Sequence, residues 1–292
     1  SLITFLRKHN LSVYMLTYTT YSEAGGVGKS TLAANLADAH AQQGRDVLVI
    51  DLDPQQGSLT YLLGISAPRD DGKADNIARH LINRPKGSFA DLIHETPFDF
   101  DIVPSHNMLE SLPSLLTKAE DMAEDLEESF DPNDRLRHVL TDANIPDAYD
   151  TIIIDPPATA GPNLYNAVSA TRSLVLPVEP TGKGVQSVEG IQDMVVNLET
   201  ALEIDIGVLA IVPNGVGQTT NQEEYLEEIR ELGYHAPIVL RDRSSLFEGC
   251  WDKRCTAFYF VGYHRNRRRD YEVDTLDKIR DLAAHIQEVG DQ

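Results

Sequence analysis

The chain has 292 residues, 41% of them hydrophobic, and its 46 acidic against 25 basic side chains give a formal net charge of −21 at pH 7. The apolar fraction is ample for a packed core, but no stretch approaches the roughly 20 apolar residues that span a bilayer. A chain this acidic has no whole-molecule attraction to DNA or anionic lipid, so any such contact has to be local.

The acids are spread along the whole chain rather than gathered in a tail. Their repulsion weakens a compact fold in dilute buffer and is screened in concentrated salt, where the Debye length falls to about 3 Å at 1 M. That is the composition expected of a halophile's cytoplasmic protein, with a haloarchaeal source; an ordinary acidic protein is the alternative. Two cysteines, Cys250 and Cys255, are too few for a disulfide scaffold and suit a reducing compartment.

In chain order, residues 1–14 (SLITFLRKHNLSVY) mix apolar and basic positions without the long apolar centre of a signal peptide. They are expected to form a loose extension ahead of a domain spanning 15–292. MLTYTTY (15–21) alternates as a strand does, a glycine loop follows, and KSTLAANLADAHAQQG carries helical apolar spacing up to a glycine stop. VLVIDLDPQQG opens with the continuous apolar run of a buried parallel strand, and FDIVPS (100–105) is another strand. Residues 108–130 read as a very acidic helix. YDTIIIDPP (149–157), SLVLPVEP (173–180) and IGVLAIVPN (206–214) are further strands, and an amphipathic helix closes the chain from about Tyr271 to Val289. Strand and helix alternate throughout. The expected fold is α/β, one doubly wound and mostly parallel sheet with helices on both faces.

The loop supplies Gly25, Gly26, Val27 and Gly28 between a strand and a helix, so backbone N–H groups can close on phosphate oxygens at a helix N-terminus. Lys29 is placed to reach the β- and γ-phosphates, Ser30 to ligate Mg²⁺ and Thr31 to lie near the α-phosphate. Asp51 and Asp53 fall at the carboxyl end of the next long strand and Asp155 at the end of TIIID. Open sheets bind ligands at such ends, and buried carboxylates are costly without a partner.

The ordered set AGGVGKST, DLDPQ, DIVPS, YDTIIIDPP and VPNGV, over roughly residues 15 to 265, resembles the ParA/MinD superfamily of deviant-Walker ATPases, most nearly its Soj-like ParA branch. The resemblance implies ATP and Mg²⁺ as cofactors, a nucleotide-sandwich homodimer in the ATP state, non-specific DNA binding in a nucleoid-associated setting, and hydrolysis stimulated by a ParB-like partner. By position it assigns Lys29 and Asp53 to catalysis, Asp53 acting on the attacking water. Ser30, Asp51 and Asp155 hold the metal, Asn214 contacts adenine, and Arg241 lies near the nucleotide or the DNA face. One departure stands out: the superfamily's first loop lysine, which reaches the partner subunit's phosphates, is here Ala24, preceded by Glu23. Losing that contact costs about 1.5–3 kcal/mol of interface stabilisation.

YHRNRRRDY (263–271) is a dense basic cluster in this acidic chain. Arg265, Arg267, Arg268 and Arg269 are candidates for DNA phosphates, with Arg241 and Arg243 secondary; a turn whose arginines pair with local acids is the alternative. Cys250 and Cys255 read as buried thiols, with a metal-cluster site as the rival. The last helix mixes Asp277, Asp281 and Glu288 into its polar face, which argues against membrane binding. The acidic segment 117–131 reads as a solvated helix face or a docking surface. No helix-turn-helix segment is seen ahead of the loop, so operator recognition is not expected. A MinD-like membrane-associated positioning ATPase, a metal-cluster scaffold and a small-molecule kinase or amidoligase remain the alternatives to a partition ATPase.

Overall fold

The computed structural model describes residues 15–292 apart from 57, 67–68, 180–187, 216–220, 232, 268 and 292. The expected extension 1–14 and Arg268 therefore lie outside the described residues. Among the described residues seven strands form one sheet: β1 (Leu16–Thr20), β2 (Val47–Asp51), β3 (His94–Glu95), β4 (Asp101–Val103), β5 (Thr151–Asp155), β6 (Ser173–Val178) and β7 (Gly207–Pro213), in the order β3-β4-β2-β5-β1-β6-β7. Every pairing is parallel except that of β3 with β4.

The continuous apolar runs are explained by burial on both faces. Along β2, Val47 and Val49 enter one core while Leu48 and Ile50 enter the other; along β5, Ile153 is divided in the same way from Ile152 and Ile154. The first core holds the helix Lys29–Gln42 through Leu32, Ala33 and Leu36. It also takes the last helix, Asp270–Gly290, through Leu276, Ile279, Leu282, Ala283 and Ile286. On the opposite face the helices Leu112–Asp125 and Arg135–Asp142 cover β2 and β5, and Val188–Leu202 covers β6 and β7. Among the described residues, no helix is long and apolar enough to cross a membrane.

The acidic run expected as one helix over 108–130 divides into a 3₁₀ turn, Asn107–Ser111, and the helix Leu112–Asp125. Glu127 adopts φ 58°, a left-handed conformation that ends the helical path. The two-residue edge strand β3 is too short to produce a periodic signal. With a net charge of −21 on this fold, the thermal midpoint is expected to rise by several degrees between 0.1 and 2 M KCl. A salt titration followed by circular dichroism measures it, and a flat midpoint would speak against a halophilic surface.

Candidate functional site

Strand β1 is flanked by β5 on one side and β6 on the other, so its carboxyl end is the point where strand order reverses and an open crevice forms. The glycine loop occupies that end. Gly26 and Gly28 hold φ of +82° and +90°, and a Cβ at Gly28 would meet Asn214 Nδ2 at 2.7 Å. Glycine is required at Gly28 both for the left-handed backbone and for this close approach. Asn214, arriving from the end of β7, donates through Nδ2 to the Val27 carbonyl at 2.8 Å, and its Oδ1 accepts the Gly215 N–H. Val27 is buried whereas Gly25 and Gly26 are exposed, so the loop is anchored on one side and open on the other. Gly28 caps the helix that begins at Lys29, leaving that helix's first N–H groups facing the crevice.

Two carboxylates arrive beside it in register. Asp51 ends β2, Asp155 ends β5, and the two are directly paired across the sheet. Asp51 accepts from the Asp53 N–H (3.0 Å), the Thr60 N–H (2.7 Å) and the Thr60 hydroxyl (2.5 Å). Asp155 accepts from Thr20 Oγ1 at 3.3 Å on one oxygen, while its buried second oxygen, Oδ2, has no partner. Burial pushes Asp51 up to about 6, against the pull of the Thr60 hydrogen bonds. Burial and then the Asp51 charge push Asp155 up to about 7, with Ser30 and Lys29 pulling it down. An unpartnered buried carboxylate oxygen beside a serine hydroxyl and a lysine fits a divalent cation. Among the described residues no group of three or more His, Cys, Asp or Glu converges on a metal position. Mg²⁺ keeps several waters and takes one or two carboxylates together with substrate phosphates.

These shifts set a pH dependence. Between about pH 4 and 7 the folded chain holds protons on Asp51 and Asp155 that the unfolded chain has released, so stability falls as pH rises through that interval. The ligand-free protein is expected to melt at a lower temperature at pH 8 than at pH 5, and Asp155→Asn to flatten the slope. Thermal midpoints across the series measure this; an unchanged slope in the variant would contradict it.

Asp53 lies at the mouth, half-buried. Its Oδ1 accepts the Gln55 N–H at 2.9 Å, and its carbonyl accepts the Ser105 hydroxyl at 2.5 Å. Ser105 also donates its N–H to Thr60 Oγ1 at 2.9 Å, which links the end of β4 to both acids. Thr60 and Ser105 had no sequence signal beyond the motifs DLDPQ and DIVPS that precede or contain them.

Beyond Thr31 a cleft of about 390 Å³ opens, lined by Gly26, Gly28, Asn35, Asn214, Phe247 and Trp251 among others. Its far wall is the helix Ser244–Lys253, whose first six residues end the segment IVLRDRSSLFEG (238–249) that the family resemblance sets beside the base. Leu240 and Ser244 line the cleft, whereas Arg241 is exposed and is not among its lining residues. Asn214, expected against adenine, braces the loop and reaches the same cleft.

The basic cluster is divided. Arg265 makes a bidentate contact with Glu272, from Nε at 3.1 Å and Nη2 at 2.6 Å, and Arg269 approaches the same carboxylate at 3.5 Å. Glu272 is fully buried. Arg265 thus holds a buried ion pair instead of presenting its charge, and Arg267 is exposed. Arg243 donates to Thr275 Oγ1 and lies over the Tyr271 ring. Cys250 and Cys255 are buried free thiols; burial pushes Cys255 up to about 11 and Cys250 further.

Fold and site together define a P-loop nucleotide hydrolase. The AAA domain family (AAA_31) matches residues 17–208. A virulence-plasmid ParA family protein, pGP5-D, of Chlamydia psittaci is 30% identical over 65% of this chain and 67% of its own length. The chain belongs to this ParA/MinD family of P-loop ATPases. It is also similar to the maintenance of carboxysome distribution protein A of Synechococcus elongatus (25% identity, 77% of this chain, 84% of the relative). The chromosome-partitioning ATPase Soj of Thermus thermophilus is 28% identical over 65% of this chain and 66% of its own. Among solved structures, the cell division ATPase MinD of Pyrococcus furiosus superposes with a TM-score of 0.68 at 22% identity, covering 94% of this chain and 98% of that one. Cobyrinic acid a,c-diamide synthase of Mycobacterium smegmatis, with bound ATP analogue and magnesium, gives 0.68 at 20% identity, covering 92% and 93%.

Proposed function

We propose that this chain is an ATP-driven partition ATPase: it binds Mg-ATP at the glycine loop, hydrolyses it slowly, associates with a second copy and with DNA in the ATP state, and is released by a ParB-like partner. The observation that carries the reading is the in-register pair Asp51 and Asp155, one oxygen unpartnered, beside the glycine loop. The Soj and ParA relatives support the partition role. The carboxysome-distribution relative supports the same engine carrying a different cargo.

In this site Lys29 and the helix N-terminus would hold the β- and γ-phosphates, and Ser30 and Asp155 would hold the metal. Asp51, through its Thr60 and Asp53 contacts, fixes the turn that carries Asp53, and Asp53 orients the attacking water. Mg²⁺, when bound, neutralises charge on the β- and γ-oxygens. Ala24 is exposed, so dimer closure draws on groups other than the first loop lysine. A MinD-like membrane role is disfavoured because the apolar face of the last helix is already buried on the sheet.

Titration calorimetry with Mg-ATP in concentrated KCl tests the core of this reading, and absence of binding defeats it. For the DNA step, Arg267 is the informative position, being exposed in the same segment as Tyr263, which is 76% exposed. Arg267→Ala is expected to weaken ATP-dependent DNA co-sedimentation several-fold while ATP binding and melting stay unchanged. Equal DNA binding by the variant would remove this segment from the interface.

A further inference from the structure

We propose that Trp251 is a positioning residue of the nucleotide site: its indole N–H holds the Thr31 hydroxyl oxygen, leaving the hydroxyl hydrogen to donate to the α-phosphate. The inference rests on the ATP reading above and adds a residue that no motif in this chain marks.

Trp251 Nε1 lies 3.0 Å from Thr31 Oγ1. An indole nitrogen is a donor only, so the direction of this bond is settled by chemistry: Thr31 accepts, and its own proton is left to point elsewhere. Two backbone carbonyls near it already have partners. The Val27 carbonyl, one helical turn back and the usual acceptor for a helix threonine, takes the Asn214 amide at 2.8 Å. The Thr31 carbonyl takes Asn35 Nδ2 at 2.7 Å. Thr31 and Trp251 both line the cleft that opens from the glycine loop. Each of these carbonyls keeps a second lone pair, so they compete with the cleft for the hydroxyl proton, and a charged phosphate oxygen in the cleft, where a nucleotide's first phosphate would lie, is the stronger acceptor.

The indole is itself held. Its ring stacks on Tyr61 with centroids 6.3 Å apart and planes 22° from parallel, and the Arg254 guanidinium lies 4.4 Å from the Tyr61 centroid. Below Trp251, the Thr256 hydroxyl donates to Asp38 at 2.5 Å and the Ala257 N–H to Asn35 Oδ1 at 2.7 Å. Thr31, Asn35 and Asp38 are spaced by four and three residues, so they share one stripe of the loop helix. The segment 251–257 is thus fastened along that stripe, with Trp251 at the end nearest the phosphates. Tyr61 directly follows Thr60, which binds Asp51, so the same stack joins the metal-directed acid to the phosphate helix.

Calorimetry with Mg-ADP and with adenosine separates positioning from mere packing. Trp251→Phe keeps the apolar ring and loses the N–H; Thr31→Val loses the hydroxyl at constant shape. Trp251→Phe is expected to weaken Mg-ADP binding about three- to tenfold and leave adenosine unchanged. The double variant is expected to bind Mg-ADP no more weakly than Thr31→Val alone, because both changes remove one interaction. Unchanged Mg-ADP binding by Trp251→Phe, parallel losses for Mg-ADP and adenosine, or penalties that add in the double variant would each overturn the inference while leaving the ATP site standing. No nucleotide binding by the unsubstituted chain would overturn both.

Discussion

Lys29→Ala is expected to lower Mg-ATP hydrolysis by at least about 100-fold, with Mg-ATP affinity falling as well. Lys29 is the first residue of the loop helix and one of the groups pulling the buried Asp155 down, so its ammonium is within electrostatic reach of that acid. A preorganised cationic donor aimed at developing phosphate charge in a partly water-excluded crevice contributes on the order of 10²–10³ in rate. Lys29→Arg is expected to recover little, because a planar guanidinium does not replace a compact ammonium within the curl of a glycine loop. The loop itself should survive the change, since Asn214 holds the Val27 carbonyl and Trp251 holds Thr31, neither of which involves Lys29. Steady-state phosphate release and calorimetry, with a melting curve to confirm folding, measure the effect. A folded variant hydrolysing ATP at the original rate would place the chemistry elsewhere.

That expectation was readable from residues 25–31 alone, and so were the β2 and β5 acids, because the requirements behind them are local. A phosphate cradle needs glycine backbone and a helix start within a few residues, and a strand end needs only a run of apolar residues to announce it. What the residue string hides is what reaches the site from far along the chain. Trp251 is separated from Thr31 by 220 residues, and its partner is set by how the last helices fold back over the loop helix; Asn214 was marked by VPNGV, but its bond to the Val27 carbonyl, 187 residues away, was not. Thr60 and Ser105 were invisible for a related reason: a hydroxyl is too common to signal anything until a buried carboxylate is seen in front of it. The basic run 263–271 was misleading in the opposite sense. Charge density along the sequence shows how many arginines there are, but not which face inward, and Glu272, the residue that decides it, sits just outside the run.

Arg265→Ala should therefore act on stability, lowering it by roughly 3–5 kcal/mol, because it strands a buried carboxylate. The Glu272 side chain is 1% exposed and Arg265 16%, and Arg265 also donates to the Ser245 carbonyl at 3.2 Å and lies 4.7 Å from the Phe260 centroid. One guanidinium thus ties the π-helical turn Phe260–His264 and the helix Ser244–Lys253 to the last helix. Arg269, 40% exposed and 3.5 Å from the same carboxylate, is too distant and too solvated to take over, so Arg269→Ala should cost under about 1 kcal/mol. Replacing Arg265 and Glu272 together with methionine should recover much of the loss, since the penalty of an ion pair's removal lies mainly in the charge left behind. Urea denaturation of the three variants separates these terms. The helix that forms the far wall of the nucleotide cleft is fastened by this pair, so loss of co-sedimentation with DNA in Arg265→Ala would report an unfastened fold, and the proposed DNA contact is tested at Arg267 instead. Denaturation of Arg265→Ala at the original urea midpoint would return Arg265 to the list of free surface cations.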